Sequence, residues 1–93
     1  MSAESTWRLA SRVQVEAGPD GNGGVLLDTA TATVCAVNET AMTLLAALGR
    51  GADIDQLAAA LAREYDVPLR RAAEDARALL RQLRAMSLID AAE

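Results

Sequence analysis

The chain has 93 residues and a formal net charge of −4, from nine arginines against 13 acids, with no histidine and a single cysteine, Cys35. That length holds one domain. The lone cysteine excludes a disulfide framework or thiolate metal cluster, and the lack of histidine removes the commonest zinc ligand and general base, so no metal or cofactor is expected. An acidic balance with two aromatics, Trp7 and Tyr65, offers neither a basic surface for duplex nucleic acid nor stacking platforms for single strands.

Alanine (21 residues) and leucine (13) supply most of the apolar content. Both favour helix, but alanine adds little burial per residue, so a small helical core is expected. No apolar run approaches the ~18 residues that would span a bilayer. Met1-Ser2-Ala3-Glu4 is not basic and leads into no apolar stretch, so no signal peptide is expected, and the expected location is cytoplasmic with Cys35 reduced.

Residues 1–6 are expected to be disordered, and 7–90 to form the domain. Trp7-Arg8-Leu9 and Val13-Gln14-Val15 read as short extended pieces. Gly18 to Gly24, with Pro19, Asn22 and four glycines, reads as a turn or loop. Val25-Leu26-Leu27 and Thr33 to Val37 are β-prone, and a turn separates them. Residues 7–37 therefore read as a three-stranded antiparallel meander.

At Asn38 the period changes to that of a helix. Asn38 is placed as an N-cap, and Ala41, Leu44, Leu45 and Leu48 form one apolar stripe that ends at Gly49 and Gly51. Asp53 and Gln56 match a capping box for a second helix, with Ile54, Leu57, Ala58, Leu61 and Tyr65 on its buried face. After Asp66-Val67-Pro68, the residues Leu69, Ala72, Ala73, Ala76, Leu79, Leu80 and Leu83 make the stripe of a third, longer helix that ends near Met86-Ser87. Leu88 and Ile89 are expected to fold back on the core. The fold class is α+β: a winged helix-turn-helix-like domain with a three-stranded antiparallel sheet followed by three helices, all within 38–86.

Catalytic machinery is not evident. No serine or threonine has a base to activate it, and Gly21-Asn22-Gly23-Gly24 lacks the lysine and following helix of a phosphate loop. Cys35 sits in an apolar run and reads as a small buried hydrophobe rather than a reactive thiol. Arg77, Arg81 and Arg84 recur at helical spacing. They read equally as the rim of a binding face and as a solvated surface, whereas Arg70–Glu74 and Arg71–Asp75 read as i,i+4 pairs.

So small a sheet must leave edges, and an edge strand offers unpaired N–H and C=O groups. If Thr33–Val37 is that edge, it bounds a groove with the third helix, where a peptide could pair by strand addition and rest its side chains on the helix, with Ala73 and Ala76 leaving room. The same open edge is a surface for homodimerisation. A reading of another class is a DNA-binding winged helix. Such regulators place a wing hairpin after the recognition helix, which is not expected here, and the acidic balance weighs the same way.

The segments Gly23-Gly24-Val25-Leu26-Leu27-Asp28 and Val37-Asn38-Glu39-Thr40-Ala41 carry a family likeness, as do the stretch Leu57 to Tyr65, Ala73-Glu74-Asp75-Ala76 with Leu79-Leu80-Leu83, and Leu88-Ile89. Over roughly residues 7–90 the chain resembles the PqqD-like family, the RiPP recognition elements, and most closely the stand-alone recognition proteins of lasso peptide pathways with a split B protein. The resemblance implies a non-enzymatic domain that binds the leader of a ribosomally made precursor peptide as an added strand and delivers it to a processing enzyme. In lasso pathways that enzyme is a separate transglutaminase-like leader peptidase. It implies an accepting strand of Thr33, Val34, Cys35, Ala36 and Val37, a helix side of Asp75, Ala76, Leu79, Leu80 and Leu83, and Leu27 closing one end. Asp75 and Asn38 match the family pattern. Val34 and Cys35 stand where members often carry aromatics, and Ala32 where they often carry glycine.

Overall fold

A computed structural model of the chain describes residues 6–19 and 22–92, residue 92 by its backbone. The elements run β1 (Thr6–Leu9), β2 (Val13–Ala17), β3 (Gly24–Asp28), β4 (Thr33–Val37), α1 (Glu39–Arg50), α2 (Ile54–Tyr65), α3 (Leu69–Ala85) and β5 (Ile89–Ala92). The expected α+β order holds: a three-stranded antiparallel sheet, ordered β2-β3-β4, precedes three helices. The first extended piece is not part of that meander. β1 pairs antiparallel with β5 in a separate two-stranded sheet, Trp7 opposite Ala91 and Leu9 opposite Ile89. Of the N-terminal stretch expected to be disordered, residues 1–5 lie outside the described residues and Thr6 opens β1; Asp20 and Gly21 of the expected loop also lie outside them.

The helix caps follow from their residues. Asn38 Oδ1 accepts from Ala41 N–H at 2.8 Å, and Gly51, with φ 90°, closes α1. The Asp53–Gln56 capping box forms in both directions, at 2.8 and 2.9 Å. Asp66 ends α2 in the left-handed region, and Pro68 opens α3 without a side-chain cap. At the far end of α3, Ser87 is also left-handed (φ 60°). Its N–H donates to Arg84 C=O, and Leu88 N–H to Leu83 C=O. This Schellman closure turns Leu88 back into the core and launches β5. No glycine marks this turn, and Ile-Asp-Ala-Ala has weak strand propensity.

The helices bury Leu44, Leu45 and Leu48 of α1, Leu57, Ala58 and Leu61 of α2, and Ala72, Ala76, Leu80 and Leu83 of α3, against Val13 and Leu26 of the sheet and Leu88 and Ile89. Leu69 departs from its expected stripe and is 59% exposed. It is the first residue of α3, and helical side chains lean toward the N-terminus, which carries this one past the end of the core. Two glycines are needed for close approach. A Cβ on Gly23 (φ 120°) would lie 2.5 Å from Val37 O, and one on Gly24 would collide with Glu16 O.

Ala32, in the β3–β4 turn, has φ 58°. A left-handed alanine is strained, whereas glycine adopts this conformation without a Cβ penalty. Ala32→Gly is expected to stabilise the domain by about 0.5–1 kcal/mol, read as a higher urea midpoint with unchanged slope.

One polar cluster joins the sheet to α3. Asp28 is buried, 5% exposed, and takes Arg12 Nε at 3.1 Å and Ala30 N–H at 2.9 Å, while the same arginine donates to Ser87 C=O. Burial alone raises the Asp28 pKa, but the Ala30 N–H, the Arg12 guanidinium and the Thr31 N–H outweigh it and hold the carboxyl below its ordinary 3.8. A depressed folded-state pKa contributes stability above the unfolded value and loses it as pH falls through the folded one. Urea midpoints are therefore expected to fall more steeply below about pH 4 for the native chain than for Asp28→Asn.

Candidate functional site

The register fixes which faces and which backbone groups are free. Val15, Leu26 and Cys35 align across the sheet, as do Ala17, Gly24 and Val37, and these rows face the helices. The rows Gln14–Leu27–Val34 and Glu16–Val25–Ala36 face outward, leaving Val34 61% and Val25 39% exposed. Thr29 N–H donates to Arg12 C=O at 3.0 Å and Gly18 N–H to Gly23 C=O at 2.7 Å, bracketing the β2–β3 ladder. Hydrogen-bonded and non-bonded pairs alternate in an antiparallel ladder, so Leu27 and Val25 bond to β2, while Asp28, Leu26 and Gly24 turn toward β4 and meet Thr33, Cys35 and Val37. Val34 and Ala36 are left with N–H and C=O aimed away from β3, into the side of β4 that no described strand occupies.

Across that vacant edge stands α3, and two contiguous cavities fill the space between. One, about 410 Å³, is lined by Leu26, Cys35, Leu79, Leu83, Met86 and Leu88, among others. The second, about 320 Å³, runs toward the start of α1 and includes Val37, Asn38, Thr40, Asp75, Leu79 and Gln82. Ala36, Val37, Leu79 and Gln82 border both, so they form one cleft. The Arg12–Asp28 cluster ties the sheet to the C-terminal end of α3 and so sets the cleft's width at its apolar end.

The expected site residues divide. Cys35, Ala36, Val37, Asp75, Leu79 and Leu83 line the cleft together. Thr33 lies at the strand's first position, with its hydroxyl 2.7 Å from that of Thr31. Val34 contributes its backbone, while its side chain and that of its cross-strand neighbour Leu27 lie on the outer face. Ala76 and Leu80 are core, 0% and 7% exposed, and Ala73 packs against that core; the small side chains bordering the cleft are Ala41 and Ala78, while Ala36 meets it through its backbone. Each residue turns a helix by about 100°, so Arg77, Arg81 and Arg84 lie roughly on the flank opposite the Asp75-Leu79-Gln82-Met86 stripe. Arg84 stacks over the Trp7 ring, 4.9 Å from its centroid. Gln82 and Met86 were missed from sequence, although their spacing from Asp75 and Leu79 marks the same stripe. Among the described residues no three potential metal ligands come together, and no helix is long and apolar enough to cross a membrane.

The sequence model described as Coenzyme PQQ synthesis protein D (PqqD) matches residues 23–89. The chain thus belongs to the PqqD family, as the resemblance implied. Among solved structures it is similar to "TbiB1 in Complex with the TbiA(beta) Leader Peptide", with a TM-score of 0.77 and 22% identity over 89% of this chain and 94% of that one. No curated protein matches the chain.

Proposed function

We propose that this domain is a non-catalytic recognition element that binds the leader segment of a ribosomally made precursor peptide and delivers it to a separate processing enzyme. In a lasso peptide pathway that enzyme would be a leader peptidase of the transglutaminase-like type. The observation that carries the reading is the vacant edge of β4, with the Val34 and Ala36 backbone groups directed outward beside the α3 cleft. Family membership and the leader-bound relative support it. The leader adds as a fourth strand: its backbone bonds supply affinity and its alternate side chains enter the cleft. Two copies of the chain would pair through the same edge, so leader and dimer compete for it.

Calorimetry with the leader of a precursor encoded beside this chain tests the reading. A one-to-one heat with the leader and none with a scrambled peptide or duplex DNA is expected; no heat with the leader overturns it. Arg77 points away from the cleft, so Arg77→Glu is expected to leave leader affinity within about twofold at low salt, where any electrostatic contribution is greatest.

A further inference from the structure

The two halves of the cleft differ in chemistry, and the register of β4 sets their spacing. An added strand's residues opposite Val34 and Ala36 exchange hydrogen bonds with β4 and carry their side chains on the outer face. Its residues opposite Cys35 and Val37 turn inward. The one opposite Cys35 meets Leu26, Leu83, Met86 and Leu88. The one opposite Val37 meets Asn38, Thr40, Asp75 and Gln82. Among the described residues Asp75 is the only charged side chain bordering either cavity, and its sole ion-pair partner, Arg71, stands 3.9 Å away with 70% of its side chain exposed. So loose and solvated a pair is readily exchanged. The sheet is antiparallel throughout, and antiparallel pairing is somewhat more stable per residue. An antiparallel strand passes Val37 first and Cys35 two residues later.

We propose that the cleft selects a basic residue followed, two positions on, by a large apolar residue, with Asp75 reading the first and the Leu26–Leu83–Met86 pocket the second. This rests on strand addition at β4. It gives the peptide a direction as well as a composition, because reversing the two residues places the cation in the apolar half.

The test uses the full chain and fluorescent synthetic peptides of about twelve residues, long enough to overrun a five-residue strand. The peptides share a threonine-rich host and carry Lys-Thr-Leu, Leu-Thr-Lys, Glu-Thr-Leu or Thr-Thr-Leu at their centre. Lys-Thr-Leu is expected to bind about tenfold more tightly than the other three. Asp75→Asn should erase this advantage, bringing the affinity for Lys-Thr-Leu to within about twofold of that for Thr-Thr-Leu in the same variant. Asp75 is exposed, so this substitution leaves the core alone. Equal affinity for Lys-Thr-Leu and Leu-Thr-Lys, or a lysine advantage that survives Asp75→Asn, overturns the proposed order or the role of Asp75. If binding of all four peptides also survives Ala36→Pro, strand addition itself is wrong; if that variant abolishes binding, only the selectivity is.

Discussion

Ala36→Pro is expected to cost at least tenfold in leader affinity while the domain stays folded. The Ala36 N–H is directed away from β3, so proline at this position removes no ladder bond within the sheet. It does delete one of the donors offered to an added strand, worth about 1 kcal/mol, and it projects a ring into the space that strand's backbone must occupy. Val34→Pro is the same experiment at the other outward position. Cys35→Pro is the control: its N–H bonds to β3, so that variant is expected to lose stability as well as affinity. Paired measurements of urea midpoint and leader titration separate the two effects. Equal loss of stability at 35 and 36 would contradict the register-derived assignment.

Leu79→Asp is expected to have the second large effect, again tenfold or more, by placing a carboxylate where both halves of the cleft meet. An apolar leader side chain seated in the Leu26–Leu83–Met86 half would have to desolvate that charge, and a basic residue in the other half is already engaged by Asp75. Leu79 is half-buried, so the free protein can keep the carboxylate hydrated. Leu80, one residue on, is 7% exposed and belongs to the core; Leu80→Asp is expected to unfold the domain, an outcome uninformative about the cleft. Circular dichroism should show Leu79→Asp native and Leu80→Asp unfolded.

That contrast shows what was legible in the sequence. The apolar stripes of α1 and α2, the Asn38 cap and the Asp53–Gln56 box are local patterns, and each formed as read. The edge status of β4 was also legible, because three short strands cannot close on themselves. The pairing of β1 with β5 was not: it joins residues at opposite ends of the chain and depends on a left-handed Ser87 that no sequence rule marks. The Asp28–Arg12–Ser87 cluster is likewise long-range. Within α3 the stripe alone could not separate residues that fill the core from those one helical step away that face the cleft. Leu79 and Leu80 look alike until the sheet is placed beside them, and so do Ala76 and Ala78.

The account centres on a vacant strand position at β4, and amide hydrogen exchange followed by NMR measures it residue by residue. In the free domain the Cys35 and Val37 amides should exchange slowly, and those of Val34 and Ala36 fast. On saturation with the leader, Val34 and Ala36 should become protected while the other two change little. Val34 and Ala36 amides that are already protected in the free monomer, or that stay fast when the leader is bound, would contradict it.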